Sequence, residues 1–257
     1  MGEPIWGPVQ RDMADLLSVH PADVPAVVDQ LTKLQDVLER LPPLYGSNPV
    51  ADFNRLYTVI TTQVLDRLYE GGFADPAFLS RLDVEFAERY FDALRLYSDG
   101  NPATPQVWAI MFRRCADGFD PRPLPSAAAG VNAHINFDLP FALVTTFAHL
   151  ETDPVDGGDQ HADYLQINEI FAESIPSLRR GYLEKWQLLV DTMNGDFDDF
   201  CQNELVEYTR DVAWRNAQKL WAIRHDADRL LAERRRLDRT ATGIGKLLLS
   251  PFASFLQ

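Results

Sequence analysis

The sequence contains few cysteines and no long apolar segment. Of its 257 residues only 2 are cysteines, and Cys115 and Cys201 have apolar neighbours but no CxxC or CxxH spacing. This pattern is typical of reduced, buried thiols rather than of a disulfide framework or a zinc site. No run of about 18 apolar residues could cross a membrane, and the N-terminus lacks the basic and apolar segments of a signal peptide. We therefore expect a cytoplasmic protein without a membrane span.

The sequence also lacks the motifs and the charge of nucleotide and nucleic-acid binders. It has only 14 glycines and contains neither GxGxxG nor GxxxxGK[ST], which disfavours a Rossmann or P-loop enzyme and its nucleotide cofactor. Acidic residues number 38 against 24 Lys and Arg, for a formal net charge of −14. Binding to nucleic-acid phosphates or to anionic lipid requires a cationic surface instead. We therefore expect neither nucleic acid nor a membrane surface as a partner.

Apolar residues recur every three or four positions along most of the chain, as they do in amphipathic helices. Asp23 followed by Pro25 predicts the start of one helix, and Asp75 followed by Pro76 predicts the start of another. Strand-like alternation of apolar and polar residues is missing. The sequence therefore predicts an all-α fold, with a single helical bundle over residues 1–257.

The same spacing predicts where the helices lie. We expect them at about residues 49–70, 76–97 and 126–150, from about Asp163, and as one long helix from about Asp198 into the 230s. Pro140 interrupts the third of these, and a proline in a helix interior removes a hydrogen bond and produces a kink. Residues 1–20 are expected to form an N-terminal extension, and residues 243–257 an apolar tail that docks on the body or on a partner. Exposure of that tail would indicate a homodimer.

The segment 130–140 carries four polar side chains on an otherwise apolar helix. His134 and Asp138 are four residues apart and share one helix face, whereas Asn132 and Asn136 form a second pair on roughly the opposite face. The surrounding apolar residues predict a position at the centre of the bundle. A buried polar group without a partner costs about 1–3 kcal/mol, so these side chains need partners or a function.

One interpretation of this cluster is an acid/base site. His134 would be the general acid/base, and Asp138 would orient it and raise its basicity. Such an enzyme also needs a hydrogen-bond donor to a developing oxyanion, for which Asn132 or Asn136 is the candidate. Asp163 is the candidate for a second acid or orienting group.

Two other interpretations stay open. His134 and Asp138 could bind one divalent metal ion, with the remaining ligands from His161 and Asp163. Alternatively, the cluster is a buried network that fixes the register of the helices and performs no chemistry.

A second patch lies on the long C-terminal helix. Trp214 and Trp221 are seven residues apart on one face, with Arg210 and Gln218 beside them. Such a face can wall an aromatic pocket, although an aromatic pair at this spacing is more often part of the core. Arg215 could bind a substrate carboxylate or pair with a neighbouring aspartate.

Several short motifs stand out along the whole sequence. They are FNRLY at 53–57, FADPAF at 73–78, RLD at 81–83, NAHINFDL at 132–139, ADY at 162–164 with Asn168, and AWRN at 213–216. Together they resemble an uncharacterised bacterial family known only as a domain of unknown function, over about residues 49–249. The resemblance implies a helical cytosolic protein and assigns no reaction and no catalytic residue. It does imply a recurring polar set, which consists of Asn54, Asp83, His134, Asp138, Asp163 and Asn168.

The sequence therefore favours a cofactor-independent enzyme that acts on a small, partly apolar organic molecule by isomerisation, cyclisation or hydrolysis. We expect the substrate to contact Asn54, Tyr57, Asn168, Trp214 and Arg215. The alternatives are a hydrolase that depends on one divalent metal ion and uses the His134/Asp138 pair, and a non-catalytic ligand-binding or scaffold protein with a structural polar core.

Overall fold

Helices account for most of the chain. The structure, a computed structural model, describes residues 6–41, 48–116, 123–186 and 203–250. A short 3-10 turn (Gly7–Val9) precedes the α-helices, which are α1 (Gln10–Leu17), α2 (Val24–Leu38), α3 (Pro49–Tyr69), α4 (Pro76–Ser98), α5 (Gln106–Ala116), α6 (Pro123–Ala133), α7 (Leu139–Leu150), α8 (Asp159–Trp186), α9 (Asn203–Ala222) and α10 (Ala227–Leu248). These four ranges contain no strand, so the predicted all-α bundle is confirmed. Within them, no helix is both long and apolar enough to cross a bilayer.

Capping residues begin the helices where the sequence predicts. The Asp23 side chain accepts a hydrogen bond from the amide of Ala26 and starts α2, and the Asp75 side chain accepts one from Phe78 and starts α4. Each side chain satisfies a backbone donor that the first helical turn leaves without a partner.

Two boundaries differ from the prediction. The helix expected to run from about Asp198 into the 230s is interrupted, because α9 ends at Ala222 and Asp226 caps the start of α10. The side chain of Asp226 accepts a hydrogen bond from the amide of Arg229 at 3.0 Å. Helix α8 begins at Asp159, four residues before Asp163. Apolar spacing alone revealed neither the Asp226 cap nor the earlier start of α8.

Both ends of the described chain belong to the packed body. Trp6, Met13 and Leu17 are buried in the core, where we expected an N-terminal extension. The expected apolar tail begins as the last turns of α10, and Leu249 is buried while Leu247 is exposed. Residues 251–257 and the thiols of the two cysteines lie outside the described part of the chain.

The helices α6 and α7 form the centre of the bundle, as the sequence predicts. Helix α6 packs against α3 and α10, and helix α7 packs against α4 and α9. A π-helical turn over His134–Asp138 joins the two, with the amide of Leu139 donating to the carbonyl of His134 five residues earlier. Pro140 therefore lies in the first turn of α7, where its missing N–H donor is not needed. The structure accommodates the proline through this turn, and π turns of this kind are frequent at functional sites.

Candidate functional site

The π-helical turn carries His134 and Asp138 at its two ends. Nδ1 of His134 lies 3.1 Å from Oδ2 of Asp138, and the indole Nε1–H of Trp108 on α5 donates to the same oxygen at 2.9 Å. Because an indole N–H can only donate, this oxygen is an acceptor, and we assign the imidazole proton to Nδ1. The other ring nitrogen of His134, Nε2, is then an unprotonated base.

Aromatic rings enclose His134. Phe86 stacks on the imidazole with the ring centroids 3.4 Å apart, and Tyr57 lies at 4.5 Å. Burial lowers the pKa of His134 below its ordinary value, although the Asp138 carboxylate acts in the opposite direction. The imidazole is therefore neutral at pH 7, as a base must be before it accepts a proton.

A small cavity of about 60 Å³ lies beside His134. A single water needs about 10–15 Å³ of such space, so the cavity has room for a few waters or a carboxylate-sized group. Three more side chains with ionisable groups line it, namely Tyr57, Asp83 and Arg210. Within the described part of the chain, neither Nε2 of His134 nor Oδ2 of Asp83 has a hydrogen-bond partner, although both atoms are buried. Unsatisfied polar atoms on one cavity are a feature of binding sites.

The carboxyl group of Asp83 lies on the same cavity. Burial raises the pKa of its carboxyl group from 3.8 to about 8, so the group is protonated at pH 7. Burial, and secondarily the Asp83 carboxylate, also raise the pKa of Tyr57 well above 10.0. The cavity therefore contains a neutral base, His134, and a neutral acid, Asp83.

Arg210 adds a buried positive charge to the same cavity. Its Nε donates to Oδ1 of Asn168 at 2.8 Å, and its Nη2 donates to the carbonyl of Tyr164 at 2.8 Å. The guanidinium lies 4.3 Å from the ring centroid of Tyr164. Burial lowers the pKa of Arg210, yet a guanidinium keeps its charge in proteins. All of these partners are neutral.

A larger groove of about 620 Å³ adjoins the small cavity. Four side chains line both spaces and form the partition between them: Leu56, Val131, Ile135 and Phe171. The volume is within the range of about 300–1,000 Å³ that is usual for small-molecule sites. The small cavity alone cannot hold an organic molecule, so such a molecule would have to occupy the groove and reach past the partition.

The two asparagines predicted to assist His134 lie on the groove side of the partition. Nδ2 of Asn136 donates to Oδ1 of Asn132 at 3.0 Å, and Nδ2 of Asn132 donates to the carbonyl of Ala241 at 2.8 Å. Both residues line the groove, and neither lines the His134 cavity. The structure therefore does not bring them together with His134, because i,i+2 positions point to different sides of a helix.

Asp163 has a structural contact away from the His134 cavity. Its two carboxylate oxygens accept hydrogen bonds from the backbone amides of Ala74 and Asp75, at 2.8 and 2.6 Å. It therefore holds the turn before α4, and it does not line the cavity.

The structure also separates His161 and Asn54 from the His134 cavity. Nδ1 of His161 accepts a hydrogen bond from the amide of Gly157 at 3.0 Å. Asn54 donates to the carbonyl of Leu31 at 3.0 Å and so joins α3 to α2. No group of three His, Cys, Asp or Glu side chains that could hold a metal occurs among the described residues.

The tryptophan patch holds a loop in place. Nε1 of Trp214 and Nε2 of Gln218 both donate to Oδ1 of Asp156 at 2.8 Å, and Trp221 donates to Asp153 at 2.8 Å. This face of α9 therefore fixes the acidic loop that precedes α8.

Trp214 and Arg215 do not reach the candidate site. Trp214 is buried and lines neither the cavity nor the groove. Arg215 is exposed and pairs with Asp211 one turn earlier on α9.

Sequence reasoning did not place Asp83, Arg210 or Trp108 in the site. A signal for Asp83 exists, because it shares one helix face with three apolar residues at positions i−4, i−1 and i+3, which are Leu79, Leu82 and Phe86. Arg210 was visible only as a neighbour of Trp214. No local signal pairs Trp108 with Asp138, since the two are 30 residues apart.

Comparisons with known proteins identify a family but no function. The model of a family of unknown function (DUF5995) matches residues 24–251. Searches of curated proteins and of solved structures find no match.

Proposed function

We propose that this chain, which belongs to that family of unknown function, is an enzyme that moves a proton on a small, partly apolar organic molecule. The observation that carries the proposal is that His134 and Asp83 line the same cavity. One side chain is a neutral base with a free Nε2, and the other is a protonated carboxylic acid. A base with a lowered pKa and an acid with a raised pKa on one cavity are typical of acid/base catalysis.

The roles follow from the hydrogen bonds. Nε2 of His134 would take a proton from a C–H or O–H group of the substrate, and the Asp138 carboxylate would stabilise the imidazolium that forms. The protonated Asp83 would deliver a proton to a second atom of the same substrate, and the imidazolium would then return its proton to Asp83. The net result is a proton shift, as in an isomerisation or a cyclisation, and hydrolysis could use the same base to activate water.

The apolar surroundings support this chemistry. Phe86 and Tyr57 exclude bulk water from His134, and electrostatic interactions are stronger where water is excluded. No resident cofactor is required for such a proton transfer. The metal-dependent alternative gains no supporting observation from the described residues.

A second candidate function is ligand binding without chemistry. The observation that favours it is the close packing of His134 against Phe86, with the ring centroids 3.4 Å apart, together with a neighbouring groove large enough for a ligand. In this case His134, Asp138 and Trp108 form a structural network, and substitutions there change stability but no reaction rate.

A screen for proton exchange separates the two candidates. The protein is incubated in D2O with a panel of compounds that each have a C–H bond next to a carbonyl or a double bond, and proton NMR measures deuterium uptake and conversion. We expect conversion of at least one compound, slowed about 100-fold or more by His134→Gln and by Asp83→Asn. His149→Gln, which changes an exposed histidine on α7, is the matched control. Equal rates for the folded His134→Gln variant and the wild type would contradict the proposal.

A further inference from the structure

We infer that the ligand of this site is an apolar monocarboxylate, whose carboxylate pairs with Arg210 in the small cavity and whose apolar chain lies in the adjoining groove. The inference rests on the proposed function in taking this ligand as the substrate, but the binding contacts do not depend on the chemistry.

Arg210 has no anionic partner among the residues that the structure describes. The residue is 3 % exposed, and its described partners are the Asn168 amide, the Tyr164 carbonyl and the Tyr164 ring. A buried cation without an anion loses several kcal/mol of hydration free energy that neutral partners return only in part. Guanidinium groups bind carboxylates with two parallel hydrogen bonds, and the cavity next to Arg210 has room for a carboxylate.

The lining of the two spaces favours an anion with an apolar chain. No aspartate or glutamate of the described residues lines the groove, although the whole chain has a net charge of −14. Its lining is mainly apolar, and the cations that the described part of the chain places on it are Lys219 and Arg236, both exposed. Among the same described residues, the one carboxyl group on the small cavity is that of Asp83, whose pKa of about 8 keeps it mostly protonated at pH 7. An anion therefore meets no ionised carboxylate in either space.

The partition is apolar. Leu56, Val131, Ile135 and Phe171 contact both spaces, so a chain that is bound at Arg210 and extends into the groove passes between apolar side chains. A ligand with one carboxylate end and an apolar chain therefore matches a cavity next to Arg210 that is followed by an apolar groove. The carbon atoms next to its carboxylate would then lie closest to His134 and Asp83.

Calorimetric titration with decanoate tests the inference. We expect decanoate to bind one site per chain, at least about tenfold more tightly than decanol, because only the carboxylate pairs with Arg210. Arg210→Gln should weaken decanoate binding about tenfold or more, and Arg215→Gln, an exposed arginine on the same helix, should leave it unchanged. Ile244→Asp places a carboxylate in the groove and should weaken binding as well, whereas Val155→Asp, at an exposed position outside the groove, should not.

Two results would overturn the inference: decanoate and decanol binding equally, or folded Arg210→Gln and Arg215→Gln variants binding decanoate equally. If circular dichroism shows that Arg210→Gln does not fold, the comparison of decanoate with decanol and of Ile244→Asp with Val155→Asp decides the matter. Measuring decanoate binding and turnover with His134→Gln separates this inference from the proposed function. Arg210-dependent binding together with turnover that survives His134→Gln would support the carboxylate ligand and contradict the role of His134 as the base. Turnover that depends on His134 but is restricted to compounds without a carboxylate would support that base and contradict the carboxylate ligand.

Discussion

The indole nitrogen of Trp108 donates a hydrogen bond to Oδ2 of Asp138, across 2.9 Å and 30 positions of sequence. This bond fixes the carboxylate oxygen that also contacts Nδ1 of His134. It therefore determines which nitrogen of the imidazole carries the proton. Through this contact, helix α5 is joined to the π-helical turn.

Trp108→Phe should destabilise the protein more than a similar change elsewhere. The substitution leaves the buried Asp138 with one donor fewer, and we expect the free energy of unfolding to fall by roughly 1.5–3 kcal/mol, as measured by urea denaturation. Trp221→Phe is the matched control, because Trp221 donates to an exposed carboxylate, Asp153, to which water can bind instead. Equal losses of unfolding free energy in the two variants would show that the buried Trp108–Asp138 hydrogen bond contributes no more than the exposed Trp221–Asp153 one.

Asp83 should make stability depend on pH. Its pKa is raised from 3.8 to about 8 in the folded protein, so the folded state holds a proton that the unfolded chain releases. The contribution to stability is complete below about pH 4 and is lost as the pH rises toward 8, by at most about 1.4 kcal/mol per pH unit. Relative to Asp83→Asn, the wild type should therefore lose stability between about pH 5 and pH 8 in urea denaturation.

Asp66→Asn, at an exposed position on α3, is the control for this pH dependence and should follow the wild type. The titration of His134 changes the stability in the opposite direction, at acidic pH. Its lowered folded pKa means that its contribution is present above the ordinary pKa of 6.5 and is lost as the pH falls through the folded value. A difference between wild type and Asp83→Asn that does not change with pH would contradict the buried, protonated carboxyl.

Gly130→Ala should destabilise the central helix. A Cβ at this position would lie 2.4 Å from ring atoms of Phe53, which is buried at the contact between α6 and α3. Overpacking of this kind costs about 1–3 kcal/mol, and thermal denaturation measures it. Gly243→Ala is the matched control, since nothing lies within 4 Å of its Cβ, and alanine should stabilise that helical position by up to about 1 kcal/mol. A neutral Gly130→Ala would show that α6 and α3 do not pack as described.

Asp156→Ala should release the loop before α8 without changing catalysis. The Asp156 carboxylate accepts hydrogen bonds from both Trp214 and Gln218. We expect a stability loss of about 1–2 kcal/mol and faster amide hydrogen exchange in residues 152–158, with Asp66→Ala as the control. A selective loss of activity would instead assign Trp214 to the site, as the sequence suggested.

Much of the fold could be predicted because its signals are local. The caps Asp23 and Asp75 act within three residues of their own positions, and apolar spacing identified the central helix. The break between α9 and α10 escaped prediction because the apolar spacing continues across it while the Asp226 cap ends the helical hydrogen bonding. The π-helical turn escaped for a similar reason, since Pro140 signals an interruption but not the geometry that accommodates it.

The site was less predictable because its groups come from distant segments. The contact of His134 with Asp138 follows from i,i+4 spacing, but Asp83 and Arg210 reach the cavity from α4 and α9 through tertiary packing. Asn132 and Asn136 are neighbours of His134 in sequence and lie across the partition in space. Proximity in sequence therefore overstated their connection to His134.

As the proposed base, His134 needs an unprotonated Nε2 at neutral pH. Nitrogen NMR of protein labelled with ¹⁵N-histidine measures this directly, with His134→Gln to assign the signal. We expect a protonated Nδ1 and an unprotonated Nε2 at pH 7, with no protonation until the pH is below the ordinary pKa of 6.5. A protonated Nε2 at pH 7, in either the other tautomer or the imidazolium, would contradict the proposed base.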